Sequence, residues 1–269
     1  MPKTGRWQVS RIESRLTRVG DLDVHYYMGG RGDPLVVIHG GGNSARTWLK
    51  NMEVFAQSYT VYVPDLPGFG RSEPLSGEYF IPELVDFIHE FSQKVGLKQF
   101  HLVGHSLGGG IALSYALKFP YRVTKLVLVN SLCLGREIAT WVRVLSALKI
   151  SRTLGVATLA IVKAAKWVAG LMLPRLDFPI PMSRASIYLG SCVTTIKEQA
   201  MVLLHRLSEV VVPTLVVWGA KDPILPVKQA YVAARLIPGC QVKVFNHCGH
   251  SVYRDDVPGF SRTVRGFLG

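Results

Sequence analysis

Phe100-His101-Leu102-Val103-Gly104-His105-Ser106-Leu107-Gly108-Gly109 is the stretch on which the fold turns. Four strand formers, Phe100 to Val103, run straight into Gly-x-Ser-x-Gly, and a helix-period segment from Ile111 to Leu117 follows at once. A serine on so tight a strand-to-helix turn is held at a strained backbone position with its hydroxyl above the sheet. The flanking glycines suit this turn because a Cβ there would meet neighbouring backbone. The new helix aims its unpaired N–H groups and positive dipole end at any negative charge that forms beside the serine. The same residues also admit a plainer reading, a serine that only caps the helix over 107–118.

Working outward, six apolar runs have strand length: 35–38, 60–63, 100–103, 125–129, 215–218 and 242–245. They are continuous and not alternating, which predicts strands covered on both faces, as in a parallel sheet flanked by helices. Ahead of them, 14–19 and 22–28 alternate around Gly20-Asp21 and predict an antiparallel hairpin. Helical spacing is present over 43–57, 82–95, 107–118, 195–208, 228–237 and 256–267. The β-α rhythm breaks between Val129 and Leu215, where a Leu-, Val- and Ala-rich stretch over 136–173 gives way to Pro174, Pro179 and Pro181. This predicts an α/β core built from 1–130 and 209–269, with a helical cap inserted at 131–208.

The chain of 269 residues is 48% hydrophobic and carries a net charge of +13. It can therefore bury a large core and is not a disordered polyelectrolyte. Between Ser131 and Ser208, ten lysines and arginines face three acids, so +7 of the net charge sits in the insert. Nucleic acid, anionic lipid, an acidic substrate or plain solvation would each suit such a surface. No nucleic-acid-binding pattern accompanies it. The apolar character of the insert favours peripheral contact with an anionic membrane surface. The window 153–173 is long enough to span a bilayer, but Lys163 and Lys166 near its middle would each cost roughly 2.5–3.5 kcal/mol there. The first 19 residues lack an apolar leader segment, and Cys133, Cys192, Cys240 and Cys248 are scattered without metal-ligand spacing. A cytoplasmic protein with reduced thiols, and neither metal nor cofactor, is the resulting expectation.

A serine hydroxyl needs a base, and the base needs an orienting group. In an open parallel sheet both must come from loops at the carboxyl ends of strands. The run Gly219-Ala220-Lys221-Asp222-Pro223 delivers Asp222 after 215–218, and Asn246-His247-Cys248-Gly249-His250-Ser251 delivers His250 after 242–245. Ser106, Asp222 and His250 then stand in the chain order of an elbow nucleophile. Asp222 alone also reads as a turn former before proline. His247 lies nearer its strand end and reads as a loop brace, whereas His89, His101 and His205 fall in or beside regular elements. Asp65 reads as the organiser of the turn over 64–72, and Asp256 as a cap of the last helix. The glycine run in Ile38-His39-Gly40-Gly41-Gly42-Asn43 lets bare N–H groups face the serine. Gly41 and Leu107 are the expected oxyanion donors, with Gly42, Asn43, His105 and Ser251 expected around the substrate. The glycine run lacks the Gly-Lys-Ser/Thr of a phosphate loop.

Taken together, His39-Gly40-Gly41-Gly42, the run Asp65 to Ser72, Gly104 to Gly109, Trp218 to Asp222 and Gly249-His250 resemble the α/β-hydrolase superfamily. The likeness covers about Leu22 to Phe267 and falls in its serine-nucleophile branch. It implies an eight-stranded, mostly parallel sheet with an inserted cap and no cofactor. Relatives that open epoxides or displace halide carry aspartate where Ser106 stands. Carboxylesterases, monoacylglycerol lipases, peroxide-using variants and carbon–carbon bond hydrolases are the nearer comparison. The last group often has a cap arginine, a part Arg184 would fill, and a tryptophan after the catalytic histidine, where this chain has Ser251. The expectation is a serine hydrolase for small or medium apolar carboxylic esters. Carbon–carbon hydrolysis of a vinylogous diketo acid is the alternative, and a ligand-binding receptor on the same scaffold a third reading.

Overall fold

The computed structural model describes residues 11–76, 80–140, 142, 199 and 201–269. Eight strands form one sheet in the spatial order β1-β2-β4-β3-β5-β6-β7-β8. They are β1 (Glu13–Val19), β2 (Leu22–Gly30), β3 (Asp33–Ile38), β4 (Tyr59–Pro64), β5 (Phe100–His105), β6 (Val123–Val129), β7 (Thr214–Gly219) and β8 (Gln241–Phe245). The hairpin β1–β2 pairs antiparallel, β2 meets β4 antiparallel, and every junction from β4 through β8 is parallel. All six expected strands and the hairpin are present.

The continuous apolar runs have a direct cause. Alternate residues of one strand enter two separate cores: Val36, Ile38, Leu102, Leu126, Leu128, Val216 and Trp218 on one side, Leu35, Val37, Val103, Val127, Val129, Leu215 and Val217 on the other. Helices α2 (Ile81–Lys94), α3 (Leu107–Lys118) and α4 (Lys228–Leu236) cover the first face. Helices α1 (Leu49–Phe55), α5 (Val252–Asp255) and α6 (Val257–Leu268) cover the second. Trp48 stacks on Tyr253 at 4.0 Å and fixes the second layer from inside. Among the described residues no helix is long and apolar enough to cross a membrane.

Two of the helical expectations need correction. The segment expected over 43–57 begins as a 3-10 turn at Ala45–Trp48 before α1, because Asn43 N–H is taken by Gly40 O at 3.2 Å. The segment expected over 256–267 is present as α6, and Asp256 caps it as expected, its carboxylate accepting Gly259 N–H at 2.8 Å. The expected helix over 195–208 is absent from its described part: residues 201–203 are irregular and Leu204–Glu209 forms a 3-10 helix. Its main-chain donors run sideways, Gln199 N–H to Arg136 O at 3.0 Å and Leu203 N–H to Cys133 O at 2.9 Å. The Gln199 side chain adds a bond from Cys133 N–H at 2.7 Å, so the two ends of the insert are tied to each other. The rest of the expected cap, including the window 153–173 and Arg184, lies outside the described residues.

Candidate active site

Ser106 joins β5 to α3 with φ 53° and ψ −114°, a backbone conformation that side chains disfavour. The surroundings over-determine it. Ser106 N–H donates to Val129 O at 2.9 Å, and Ser106 O accepts Leu132 N–H at 3.0 Å, so the end of β6 clamps the turn from both sides. A Cβ on Gly104 would lie 2.1 Å from Gly108 O, and one on Gly108 would lie 2.4 Å from Ile38 O. Only bare glycine lets the first turn of α3 press this closely on β5 and β3.

Asp222 and His250 come from the loops after β7 and β8, which pack on each other: a Cβ on Gly219 would lie 2.0 Å from Gly249 O. His250 Nδ1 donates to Asp222 Oδ2 at 2.8 Å, with the carboxylate fully buried and the imidazole 15% exposed. Asp222 Oδ1 accepts the N–H groups of Ile224 and Leu225 at 2.8 and 3.0 Å. Burial alone would raise the Asp222 pKa. The His250 hydrogen bond and charge, the Leu225 N–H and the Asn130 amide outweigh it, and the carboxyl stays below its ordinary value. With Nδ1 committed to the carboxylate, Nε2 is the ring nitrogen left to act as a base. Among the described residues no hydrogen bond joins Ser106 Oγ to His250. Such bonds commonly tighten only when substrate is bound.

Two contributors were not assigned from sequence. Asn130, directly after β6, is fully buried at φ 42° and donates from Nδ2 to Asp222 Oδ2 at 2.6 Å. The signal that could have found it is its place at the carboxyl end of a central strand. The second is the role of His105, which corrects its expected place beside the substrate. Its ring is buried and donates from Nε2 to the carbonyl of His250 at 2.8 Å. Burial, with the neighbouring His250 charge, pushes its pKa down to about 3, so it stays neutral and braces the His250 backbone.

Gly41 lies beside Leu107: a Cβ on Gly41 would sit 3.8 Å from Leu107 Cδ2, and among the described residues neither amide has a carbonyl partner. Gly42 has φ 77°, the third position of the turn closed by Asn43 N–H on Gly40 O. Gly42 is buried, Asn43 half-buried, and half-buried Ser251 precedes α5. Asp65 organises its turn as expected, accepting Ala45 N–H at 2.6 Å and Arg71 N–H at 3.0 Å. His247 pairs with Asp256 at 3.3 Å. Burial pushes the Cys133 thiol up to about 12 and the Cys248 thiol up to about 11, which leaves both as poor nucleophiles.

The α/β hydrolase fold family matches residues 33–155 and 171–257, and the chain belongs to that family. It is therefore a hydrolase by fold and by its relatives. It is 30% identical over 263 residues to the 2-hydroxy-6-oxononadienedioate/2-hydroxy-6-oxononatrienedioate hydrolase of Burkholderia vietnamiensis, covering 92% of this chain and 91% of that one. The crystal structure of a bacterial membrane phospholipase A superposes with TM-score 0.74 at 25% identity, covering 96% of this chain and 86% of that one. A hydrolase from Pseudomonas aeruginosa PA01 superposes with TM-score 0.78 at 21% identity over 96% and 98%, a likeness of fold.

Proposed function

We propose that the protein is a serine hydrolase of carboxylic esters with small or medium apolar groups, working through an acyl-enzyme on Ser106. The observation that carries this reading is the 2.8 Å bond between Asp222 and His250, set on the loops after β7 and β8, at the same carboxyl edge of the sheet as the strained Ser106 turn. In the proposed reaction, His250 Nε2 takes the Ser106 proton as Oγ attacks the ester carbonyl. Asp222 holds the imidazole in the tautomer this requires and stabilises its protonated form. The oxyanion settles on the N–H groups of Gly41 and Leu107; one such donor is typically worth about 2.7–4 kcal/mol. His250 then protonates the departing alcohol, and water repeats the sequence on the acyl-enzyme. The ester-cleaving activity named for the phospholipase relative agrees with this reading.

A second reading has its own support: the Burkholderia vietnamiensis relative is named as a 2-hydroxy-6-oxononadienedioate/2-hydroxy-6-oxononatrienedioate hydrolase. Assay of p-nitrophenyl esters of graded chain length beside a 2-hydroxy-6-oxodienoate separates the two. Faster turnover of the esters supports the first reading, and turnover of the dienoate alone replaces it. The basic insert is proposed to rest on anionic membrane surface while the site works on a small-molecule ester. Co-sedimentation with anionic but not neutral vesicles is the expected result, and equal binding to both overturns that part.

A further inference from the structure

A second serine, histidine and aspartate lie in series on the opposite edge of the sheet. In β1–β2, Leu16 faces His25 and Ser14 faces Tyr27, so all four side chains share one face of the hairpin. His25 Nδ1 lies 2.7 Å from Asp65 Oδ2, and His25 Nε2 lies 2.9 Å from Ser14 Oγ. An ionised carboxylate only accepts, so Nδ1 carries the proton, and in neutral His25 the Nε2 atom accepts the Ser14 hydroxyl. The imidazole and carboxylate are 1% and 3% exposed, whereas Ser14 is open to solvent. The Arg71 guanidinium adds a cation, with Nη1 donating to Ser14 Oγ at 3.0 Å. Packing holds the histidine: its N–H donates to Ser72 Oγ at 3.0 Å, its carbonyl accepts Asp65 N–H at 2.9 Å, and its ring meets the edge of Tyr27 at 4.9 Å. Leu16, 64% exposed, offers an apolar surface on the same face.

We propose that Ser14 is a second nucleophilic serine that accepts an acyl group from activated carboxylic esters, with His25 as base, Asp65 as its orienting carboxylate and Arg71 as the cation beside the oxyanion. Ser14 Oγ bonds to the carbonyl carbon while its proton passes to His25 Nε2. The bond from that carbon to the leaving oxygen breaks, and the leaving group takes the proton from His25. Fluorophosphonate probes follow the same course: an oxygen–phosphorus bond forms, the phosphorus–fluorine bond breaks, and fluoride departs. Ser14 sits on a regular strand with no helix start among the described residues facing it, so one lasting adduct is expected in place of rapid turnover. This proposal stands apart from the assignment of Ser106.

The test uses the full-length Ser106→Ala protein with a fluorophosphonate–biotin probe and peptide mapping by mass spectrometry. The native protein is expected to carry one adduct on Ser14, formed about 100-fold faster than on the same chain unfolded in urea. Adding Ser14→Ala should abolish it, and His25→Gln should slow it by a similar factor. No adduct on native Ser106→Ala protein overturns the proposal. So does an adduct that survives Ser14→Ala, or one formed equally fast on the unfolded chain. Should His25→Gln fail to fold, Arg71→Gln replaces it, since Arg71 is exposed at this edge. An undiminished rate in that variant overturns the part given to the guanidinium. Labelling of Ser106 in the unmutated protein is read separately, so failure at one serine is not mistaken for failure at the other.

Discussion

The two Ser–His–Asp series differ in what each has finished. At Ser14 the hydroxyl, imidazole and carboxylate are joined at 2.9 and 2.7 Å, the first two on regular strands of a hairpin and the third in the turn after β4. At Ser106, among the described residues, only the histidine–aspartate bond of 2.8 Å is made, but the serine backbone is strained to φ 53° beside amides with no carbonyl partner there. A strand pair supplies the side-chain series without strain, because the pairing register sets Ser14 and His25 diagonally on one face. The cradle for negative charge is harder to build. It needs a helix start, a glycine run and a turn that glycine alone permits. On the two proposed roles, the donors, more than the three side chains, would separate a turning-over site from a merely reactive serine.

The largest effect expected from that distinction is on turnover. Ser106→Ala should lower kcat for p-nitrophenyl butyrate by about four orders of magnitude or more at unchanged melting temperature, leaving any Ser14 reaction as a single burst. Steady turnover near the unmutated rate would reverse the ranking of the two serines. The next effect falls on the cradle's fit. A Cβ at Gly108 would meet Ile38 O at 2.4 Å and His39 O at 2.6 Å, both backbone atoms that cannot swing aside. Gly108→Ala should therefore cost about 3 kcal/mol in urea unfolding. Gly41→Ala, with nothing nearer than 3.8 Å, should leave stability unchanged. Equal losses in the two variants would remove the close approach of α3 as the reason for the glycine.

A third effect separates the histidines by acid. The His105 pKa is pushed down to about 3, chiefly by burial, against an ordinary 6.5. The unfolded chain therefore takes up a proton below about pH 6.5 that the folded protein refuses until near pH 3, and stability falls as pH drops through that window. Between pH 7 and pH 5 the loss should be on the order of 2 kcal/mol. Asp222, held below its ordinary value, works in the same direction at lower pH: its share is complete above 3.8 and is lost as pH falls through the folded value. Urea titrations at pH 7 and pH 5 check this, with His105→Gln expected to flatten the difference while its amide still reaches the His250 carbonyl. An equal pH dependence in both proteins would take His105 out of the account.

The sheet and the Ser106 site were legible because their causes are local. Strands buried on both faces write themselves as runs such as Leu35 to Ile38, and a glycine-flanked serine after a strand announces its turn. Legibility stopped where main-chain donors are spent on distant partners. Nothing in residues 201–203 says that Leu203 N–H goes to Cys133 O instead of into a helix. The part played by His105 was hidden for the same reason, since His250 lies 145 residues away. The Ser14 series needed a register: Asp65 was read as a turn organiser, and only the pairing of β1 with β2 sets Ser14 and His25 side by side.

The smallest effect tests the second donor on each carboxylate. Oδ2 of Asp65 accepts His25 and the Arg71 backbone N–H, and Oδ2 of Asp222 accepts His250 and the Asn130 side chain. Substitution can remove only the latter. In Asn130→Ala the carboxylate loses a bond of 2.6 Å that favours its charged form, so the Asp222 pKa should rise. As pH falls, protonation would then withdraw the acceptor from His250 earlier, and the acid limb of kcat/KM should move to higher pH. About a tenfold loss of kcat at neutral pH should accompany that shift, with KM nearly constant, because Asn130 is buried beneath the imidazole–carboxylate pair. Asn130→Ser, which keeps a shorter donor, should recover part of both changes. A loss of kcat with an unmoved acid limb would mean that Asn130 only shapes the strained end of β6, and that Asp222 is held in its charged form without it.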